Sequence, residues 1–156
     1  MIRMTRLTDY GIVLLTHYAR TPERPIRTAR DLAAENRLPL PTVGKILKGL
    51  ARRGILASHR GVNGGYSLAR SPEAISVADV ITALEGPVAI TECSSHGDHA
   101  VCDLERRCPV RSNWRRINDA VREALGRITL AELSRPDAEP LVTLNTGHRI
   151  QSGESL

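Results

Sequence analysis

The first half of the chain contains two short helical patterns, a tight turn between them, and then a glycine-rich segment. Thr28 followed three residues later by Asp31 is typical of a capped helix start, which predicts a helix over residues 29–35. Pro41 suits the first turn of the next helix, and Gly54 is placed to end it. Two short helices joined by a brief turn form a helix-turn-helix, and this motif followed by a glycine-rich hairpin is much more specific than any one of these elements.

A β-hairpin is predicted directly after the second of these helices. Residues 55–58 and 66–69 are strand-like runs, and HRGVNGG between them supplies the glycines and the Asn-Gly pair that a hairpin turn requires. A hairpin in this position is a wing. The sequence therefore predicts a mainly α protein with a small β-hairpin wing, in which residues 1–86 form a winged helix-turn-helix domain.

Apolar residues at three- and four-residue steps predict three more helices. They cover about residues 5–19, 76–84 and 112–128. In the last of these helices the apolar residues form a seam with the spacing of a coiled pair: Trp114, Ile117, Val121, Leu125 and Ile128. We expect the same helix of a second copy to cover this seam, which makes residues 112–133 a dimerisation helix and the protein a homodimer. The alternative is that the seam covers the first helix of its own chain.

The charge of the chain is unevenly distributed. Residues 1–70 carry a net charge of +9, whereas residues 71–156 carry −4. A basic module joined to an acidic one favours double-stranded nucleic acid as the partner, although a basic half also occurs in ordinary soluble proteins.

The predicted DNA contacts lie on the second helix of the motif, at the start of the first, and on the wing. The side of the second helix away from its apolar stripe carries hydroxyl and basic donors, which are typical of a helix that enters the major groove. An arginine near the hairpin tip is placed to enter a minor groove. The candidate contacts are Thr28, Thr42, Lys45, Lys48, Arg52 and Arg60. The alternative is an ordinary solvated basic face.

All three cysteines lie in one short segment, as Cys93, Cys102 and Cys108, separated by eight and five residues. An odd and clustered set argues against a disulfide framework and favours soft ligands for a metal, so residues 87–111 are predicted to be a metal-binding cysteine loop. The chain begins without a secretory signal and has no run of about 20 apolar residues, so we expect a cytoplasmic protein with reduced thiols and no membrane association. Residues 134–156 have the composition of a flexible tail.

The residues alone leave the use of these thiolates open. Iron–sulfur clusters are usually held by thiolates, and three of them leave one iron position for another donor. Zinc bound by the three cysteines with His96 or His99 is an alternative, although paired C-x-x-C knuckles are missing. A reversible disulfide switch is a third reading, and a carrier that delivers clusters to client proteins is a fourth. Catalysis is not favoured, because the sequence has no nucleophile elbow and no phosphate loop.

Five features between about residue 3 and residue 133 together form a specific pattern: RMTRLTDYGIVLL, the wing RGVNGGYSLAR, the helix VADVITALEG, the three cysteines and a tryptophan shortly after the third. In these features the chain resembles the IscR-like winged-helix regulators of the Rrf family. It looks closest to the branch that regulates the SUF system of iron–sulfur cluster assembly. The resemblance implies a homodimer that binds a palindromic DNA operator and holds a 2Fe-2S or 4Fe-4S cluster on Cys93, Cys102 and Cys108.

The resemblance does not carry over every site residue. The histidine that follows the third cysteine by three residues in the founding member is Arg111 here, so this ligand is not implied. Asp9 matches the aspartate with which the opposing subunit completes the four-iron cluster of the family's nitric oxide sensor. Gly44 stands where the founding member has a recognition-helix glutamate, so operator preference is not implied either. The implied function is a cluster-sensing repressor of iron–sulfur assembly or iron and redox genes, and the switch could run in either direction.

Overall fold

The computed structural model describes residues 4–90 and 108–136. The α-helices within these two ranges are α1 Arg6–Arg20, α2 Ala29–Asn36, α3 Leu40–Arg52, α4 Val77–Leu84, α5 Arg111–Arg127 and α6 Leu130–Leu133. Strands β1 Leu56–His59 and β2 Gly65–Leu68 form an antiparallel pair, and a short 3-10 helix spans Pro72–Ala74. The prediction of a mainly α protein with a β-hairpin wing is confirmed.

Local capping explains why the helices begin and end where the sequence predicts. Thr28 Oγ1 accepts a hydrogen bond from the Asp31 N–H at 3.1 Å, while Asp31 accepts one from the Thr28 N–H at 3.3 Å. This reciprocal capping box satisfies two backbone donors at the start of α2. Arg37 then adopts a left-handed conformation with φ of 54°, which ends α2 and turns the chain into α3.

The core lies between α1, α2, α3 and the start of the hairpin. Its side chains follow the apolar stripes that the sequence predicts, extended by residues from the strands, from α4 and from α6. The most deeply buried are Leu14, Leu15, Leu32, Val43, Ile46, Leu47, Leu50, Ile55, Leu56 and Ile75. Helix α4 contacts α1, α3 and α5, so it joins the helix-turn-helix to the long helix.

The wing is attached to the helices through Tyr66 on β2. Arg27 and Tyr66 exchange backbone hydrogen bonds of 3.0 and 2.8 Å, and the hydroxyl of Tyr18 donates to the Tyr66 carbonyl at 2.8 Å. A Cβ on Gly65 would lie 2.5 Å from the Arg27 carbonyl oxygen, so this close approach requires glycine. The Arg27 side chain is 3% exposed and pairs with Glu35, which ties the same point to α2.

Helix α5 is the least buried of the long helices in the described part of the chain. Asn118 is its one buried residue there, and Trp114 and Ile117 are 37% and 45% exposed. Val121 and Leu125 are half-buried and line a cavity of about 500 Å³ with the end of α4 and residues 86–90. None of the helices in the described ranges combines the length and the apolar character needed to cross a membrane.

Candidate DNA interface and cysteine centre

Helix α3 has one buried face and one open face. Val43, Ile46, Leu47 and Leu50 are fully buried. Lys45, Lys48 and Arg52 are exposed and Thr42 is half-exposed, at three- and four-residue steps that place them together on the other side. A Cβ on Gly44 would meet no atom within 4 Å, so the same face is also unobstructed. The geometry suits a helix that lies in a groove, whereas the individual DNA contacts stay predictions.

The wing tip presents a second exposed group. Arg60 is exposed, and Val62 beside it is fully exposed. The tip is a tight turn in which the Gly64 N–H donates to the Gly61 carbonyl at 3.0 Å, and Gly61 has a φ of +105°. A Cβ on Gly64 would lie 2.6 Å from the His59 carbonyl oxygen, so glycine is required there. The turn therefore holds Arg60 and Val62 outward together.

Thr28 lies at the first turn of α2, and its position there has a structural role as well. Its oxygen accepts the Asp31 N–H, which leaves its hydroxyl hydrogen to donate to a phosphate. The hydrogen bonds from Thr28 hold the pKa of Asp31 below its usual range, so this carboxylate stays ionised beside the candidate contact. A conservative change at this position would need to keep the cap.

Leu40 is a candidate contact that the sequence analysis did not include. It opens α3, is 44% exposed, and lies outside the buried stripe of the helix. An exposed apolar side chain at the start of a groove-binding helix suits a thymine methyl group. Leu40 lies three residues before Val43 and so continues the apolar periodicity, which is why the sequence pattern does not indicate its exposure.

The cysteine centre lies only partly within the described residues. Cys108 is a half-buried free thiol three residues before α5 begins, and its carbonyl accepts the Arg111 N–H at 3.4 Å. Cys93, Cys102, His96 and His99 lie outside the described residues. Asp9 is exposed on the first turn of α1, and within residues 4–90 and 108–136 its carboxylate has no ion-pair partner. Thiolates are the usual ligands of iron–sulfur clusters, so the chemistry of Cys108 fits such a group, and Asp9 as a further ligand stays a prediction.

Glu85 is a polar residue at the end of α4 whose contacts the sequence does not indicate. It accepts hydrogen bonds from Thr5 and Thr8 at the start of α1. Burial raises the pKa of Glu85, but the hydrogen bonds from Thr8 and Thr5 outweigh this effect and leave the pKa below its usual range. These partners lie 77 and 80 residues away in the chain, so no local pattern indicates the contact.

Residues 4–136 match the family model Rrf2, whose description is iron-dependent transcriptional regulator. The chain belongs to the Rrf2 family of transcriptional regulators. The curated relative IscR of Vibrio cholerae is 30% identical to this Rrf2 regulator over 133 residues, which cover 85% of this chain and 75% of the relative. CymR of Bacillus subtilis is also 30% identical, over 80% of this chain and 84% of the relative.

Solved structures support the same fold for this Rrf2 regulator. The structure of B. subtilis CymR, described as the global cysteine regulator of that organism, has a TM-score of 0.64 and 28% identity, covering 86% of this chain and 97% of CymR. The structure of T. potens IscR has a TM-score of 0.61 and 26% identity, covering 85% of each chain. The expected Rrf membership, the winged helix-turn-helix fold and a regulatory rather than enzymatic role are confirmed.

The comparisons do not single out the SUF branch of the Rrf2 family. Relatives named IscR and CymR are equally similar to this chain at 30% identity, and one of them is described as a cysteine regulator. Family similarity therefore shows a DNA-binding transcriptional regulator and does not by itself separate cluster sensing from the regulation of cysteine.

Proposed function

We propose that this Rrf2 regulator is a homodimeric, iron–sulfur cluster-sensing repressor of SUF cluster-assembly genes or of iron and redox genes. Its cluster, of the 2Fe-2S or 4Fe-4S type, is held by Cys93, Cys102 and Cys108 of one subunit and by Asp9 of the partner subunit. Its site of action is the cytoplasm, where the DNA operator lies.

The position of Cys108 carries this proposal. The thiol lies directly before α5, so a ligand bound to it is connected through less than one helical turn to the long helix. Cys93, Cys102 and Cys108 would hold the cluster, which would supply redox-active iron at this point. Without it, the start of α5 would lose its anchor at Cys108, and the change would reach the winged domains through α4, which contacts α5 and α3.

The exposed seam of α5 supports the homodimer. An isolated helix that leaves Trp114 and Ile117 exposed at its first turns gains little from packing, since apolar burial supplies most helix stability in proteins. A second α5 covers these side chains and brings two winged domains into a symmetric pair. The domain limits of this proposal are residues 1–86 for DNA binding, 87–111 for the cluster, 112–133 for the dimer and 134–156 for a tail.

The DNA contacts divide into two kinds. In this proposal the exposed residues Lys45, Lys48, Arg52 and Thr28 contact phosphates, and such contacts give affinity that depends strongly on salt. Thr42 lies on the same helix face, where side chains reach base edges in the major groove, and Arg60 on the wing enters the minor groove. The affinity for DNA of any sequence then depends more on the residues that contact phosphates than on Thr42.

A thiol-based or zinc-stabilised regulator is the second candidate. The likeness to CymR, with its description as a cysteine regulator, favours a protein that responds through its thiols alone. In that case Cys108 forms a reversible disulfide with another cysteine, or His96 or His99 completes a zinc site.

Anaerobic purification followed by iron, zinc and acid-labile sulfide analysis separates these candidates. Visible absorption and native mass spectrometry report the metal content of each dimer. We expect iron and sulfide in similar amounts on a dimer, and their loss in Cys102→Ser. His96→Ala and His99→Ala serve as matched controls that should retain the cluster. A colourless protein with zinc, no sulfide and a dependence on either histidine would contradict the proposal.

A further inference from the structure

The first turn of α1 is capped by a side chain from the far end of α4. Thr5 is the N-cap of α1 but makes no capping hydrogen bond through its own side chain. Instead Glu85 Oε1 accepts hydrogen bonds from the Thr5 N–H at 2.9 Å, from Thr5 Oγ1 at 3.1 Å and from Thr8 Oγ1. Thr8 is fully buried, so its hydroxyl has no solvent to replace this acceptor. One carboxylate therefore fixes the start of α1.

The neighbouring Leu84 holds the end of α4 in place. Its Cδ1 would lie 2.5 Å from a Cβ on Gly11, and its Cδ2 would lie 3.1 Å from a Cβ on Gly49. Leu84 therefore packs closely against glycines of both α1 and α3, and a methyl group at either position would require Leu84 to shift. Because Leu84 is confined on two sides, the backbone of the adjacent Glu85 is held in a position from which its side chain contacts Thr5 and Thr8.

The residues after Glu85 lead towards the cysteines and are attached to α5. Gly86 has a φ of +101°, which turns the chain away from α4. The Ile90 N–H then donates to Oδ1 of Asn118 at 3.1 Å, and Asn118 is the buried residue of α5. Residues 86–90 therefore lie between two contacts: Glu85 bonds to α1 before them, and Ile90 bonds to α5 at their end. Cys93 follows three residues later.

Resting on the proposed function, we propose that Glu85 is a positioning residue for the ligand Asp9. Asp9 follows Thr8 directly, and its N–H donates to the Thr5 carbonyl at 3.3 Å, so it belongs to the turn that Glu85 caps. Glu85 keeps this turn formed and aligned with the end of α4. It thereby presents the Asp9 carboxylate at one position to the cluster of the partner subunit, and it acts on cluster retention through Asp9.

The rate of cluster loss to a chelator tests this assignment. Full-length protein loaded anaerobically is mixed with EDTA, and the decay of its visible absorption is followed. We expect Glu85→Ala and Thr8→Val to lose the cluster about three- to tenfold faster than wild type, the size that one lost hydrogen bond implies. Glu85→Gln, whose amide oxygen still accepts, should restore part of the difference. In an Asp9→Ala background, Glu85→Ala should cause no further acceleration.

Asp79→Ala is the matched control, because Asp79 accepts a backbone hydrogen bond at the opposite end of the same helix α4. Asp79→Ala should lower thermal stability about as much as Glu85→Ala does, and it should leave the rate of cluster loss unchanged. Equal rates for wild type and Glu85→Ala would overturn the assignment alone, as would equal acceleration by Glu85→Ala with and without Asp9. Wild-type protein that takes up no cluster would overturn the proposed function and this assignment together.

Discussion

Gly44 and Gly49 both lie inside α3, but their surroundings differ. A Cβ on Gly44 would meet no atom within 4 Å, whereas one on Gly49 would lie 3.1 Å from Leu84. The first glycine faces the open side of the helix, and the second accommodates the end of α4. Helix propensity therefore decides the cost of glycine at position 44, and packing decides it at position 49.

We expect Gly44→Ala to increase the free energy of unfolding by about 0.5–1 kcal/mol, because alanine loses less backbone entropy in a helix. Gly49→Ala is the control, and its gain should be reduced or reversed, since Leu84 must move to admit the new methyl group. Urea denaturation of both variants measures the difference. Equal stabilisation by the two changes would show that Leu84 does not confine position 49.

The basic residues of the open face predict a salt-dependent DNA affinity. Lys45→Ala and Arg60→Ala should each weaken binding to a mixed-sequence duplex and reduce the slope of log affinity against log salt by about one unit. Arg127→Ala is a control, since Arg127 is exposed on α5 and pairs with Glu123. Fluorescence anisotropy at several salt concentrations provides the slopes. A slope unchanged from wild type would remove that residue from the interface.

At the scale of the elements, the hairpin is positioned by hydrogen bonds as much as by apolar contact. The hydroxyl of Tyr18 on α1 donates to the Tyr66 carbonyl on β2. Burial raises the pKa of Tyr18, so its phenol stays protonated and keeps this donor at all ordinary pH values. The wing therefore has a fixed orientation relative to α1 and α3.

Tyr18→Phe should destabilise the protein by about 1 kcal/mol, because the Tyr66 carbonyl loses its side-chain partner while the ring is retained. Tyr10→Phe is the matched control on the same helix and should change stability little, since the Tyr10 side chain is only half-buried. Chemical denaturation measures both variants. A similar loss of stability in both variants would mean that the hydrogen bond from Tyr18 to the wing does not stabilise the protein.

Elements with a local cause were predictable from the sequence, and elements with a distant cause were not. Capping pairs such as Thr28 with Asp31 and Ser76 with Asp79 placed helix starts to within about one residue. Helix α6 is an exception: its capping pair of Thr129 and Glu132 is local, but four residues are too few to show an apolar period, so the sequence does not predict this helix. The cap of α1 by Glu85 depends on the tertiary fold, so no local pattern contains it.

At the scale of the whole molecule, positive charge is concentrated in the winged helix-turn-helix. Residues 1–70, with a net charge of +9, contain α1, α2, α3 and the wing. Residues 71–156 carry −4 in total, although α5 itself has five arginines against one aspartate and one glutamate. The fold and the open basic face of α3 could be read from periodicity and charge. The use of the three cysteines could not, because the spacing of Cys93, Cys102 and Cys108 is typical of metal ligands but indicates neither the metal nor its arrangement.

The central claim is that cluster occupancy sets DNA affinity, and one measurement tests it directly. Duplexes are selected from a random pool separately with cluster-loaded and with cluster-free protein, and the affinity of both forms for each selected duplex is measured anaerobically at one salt concentration. We predict that the cluster-loaded protein has an affinity for its selected duplex at least about fivefold higher than the cluster-free protein has. This factor lies within the usual range of coupling between two sites. Equal affinities of the two forms for every selected duplex would contradict the account.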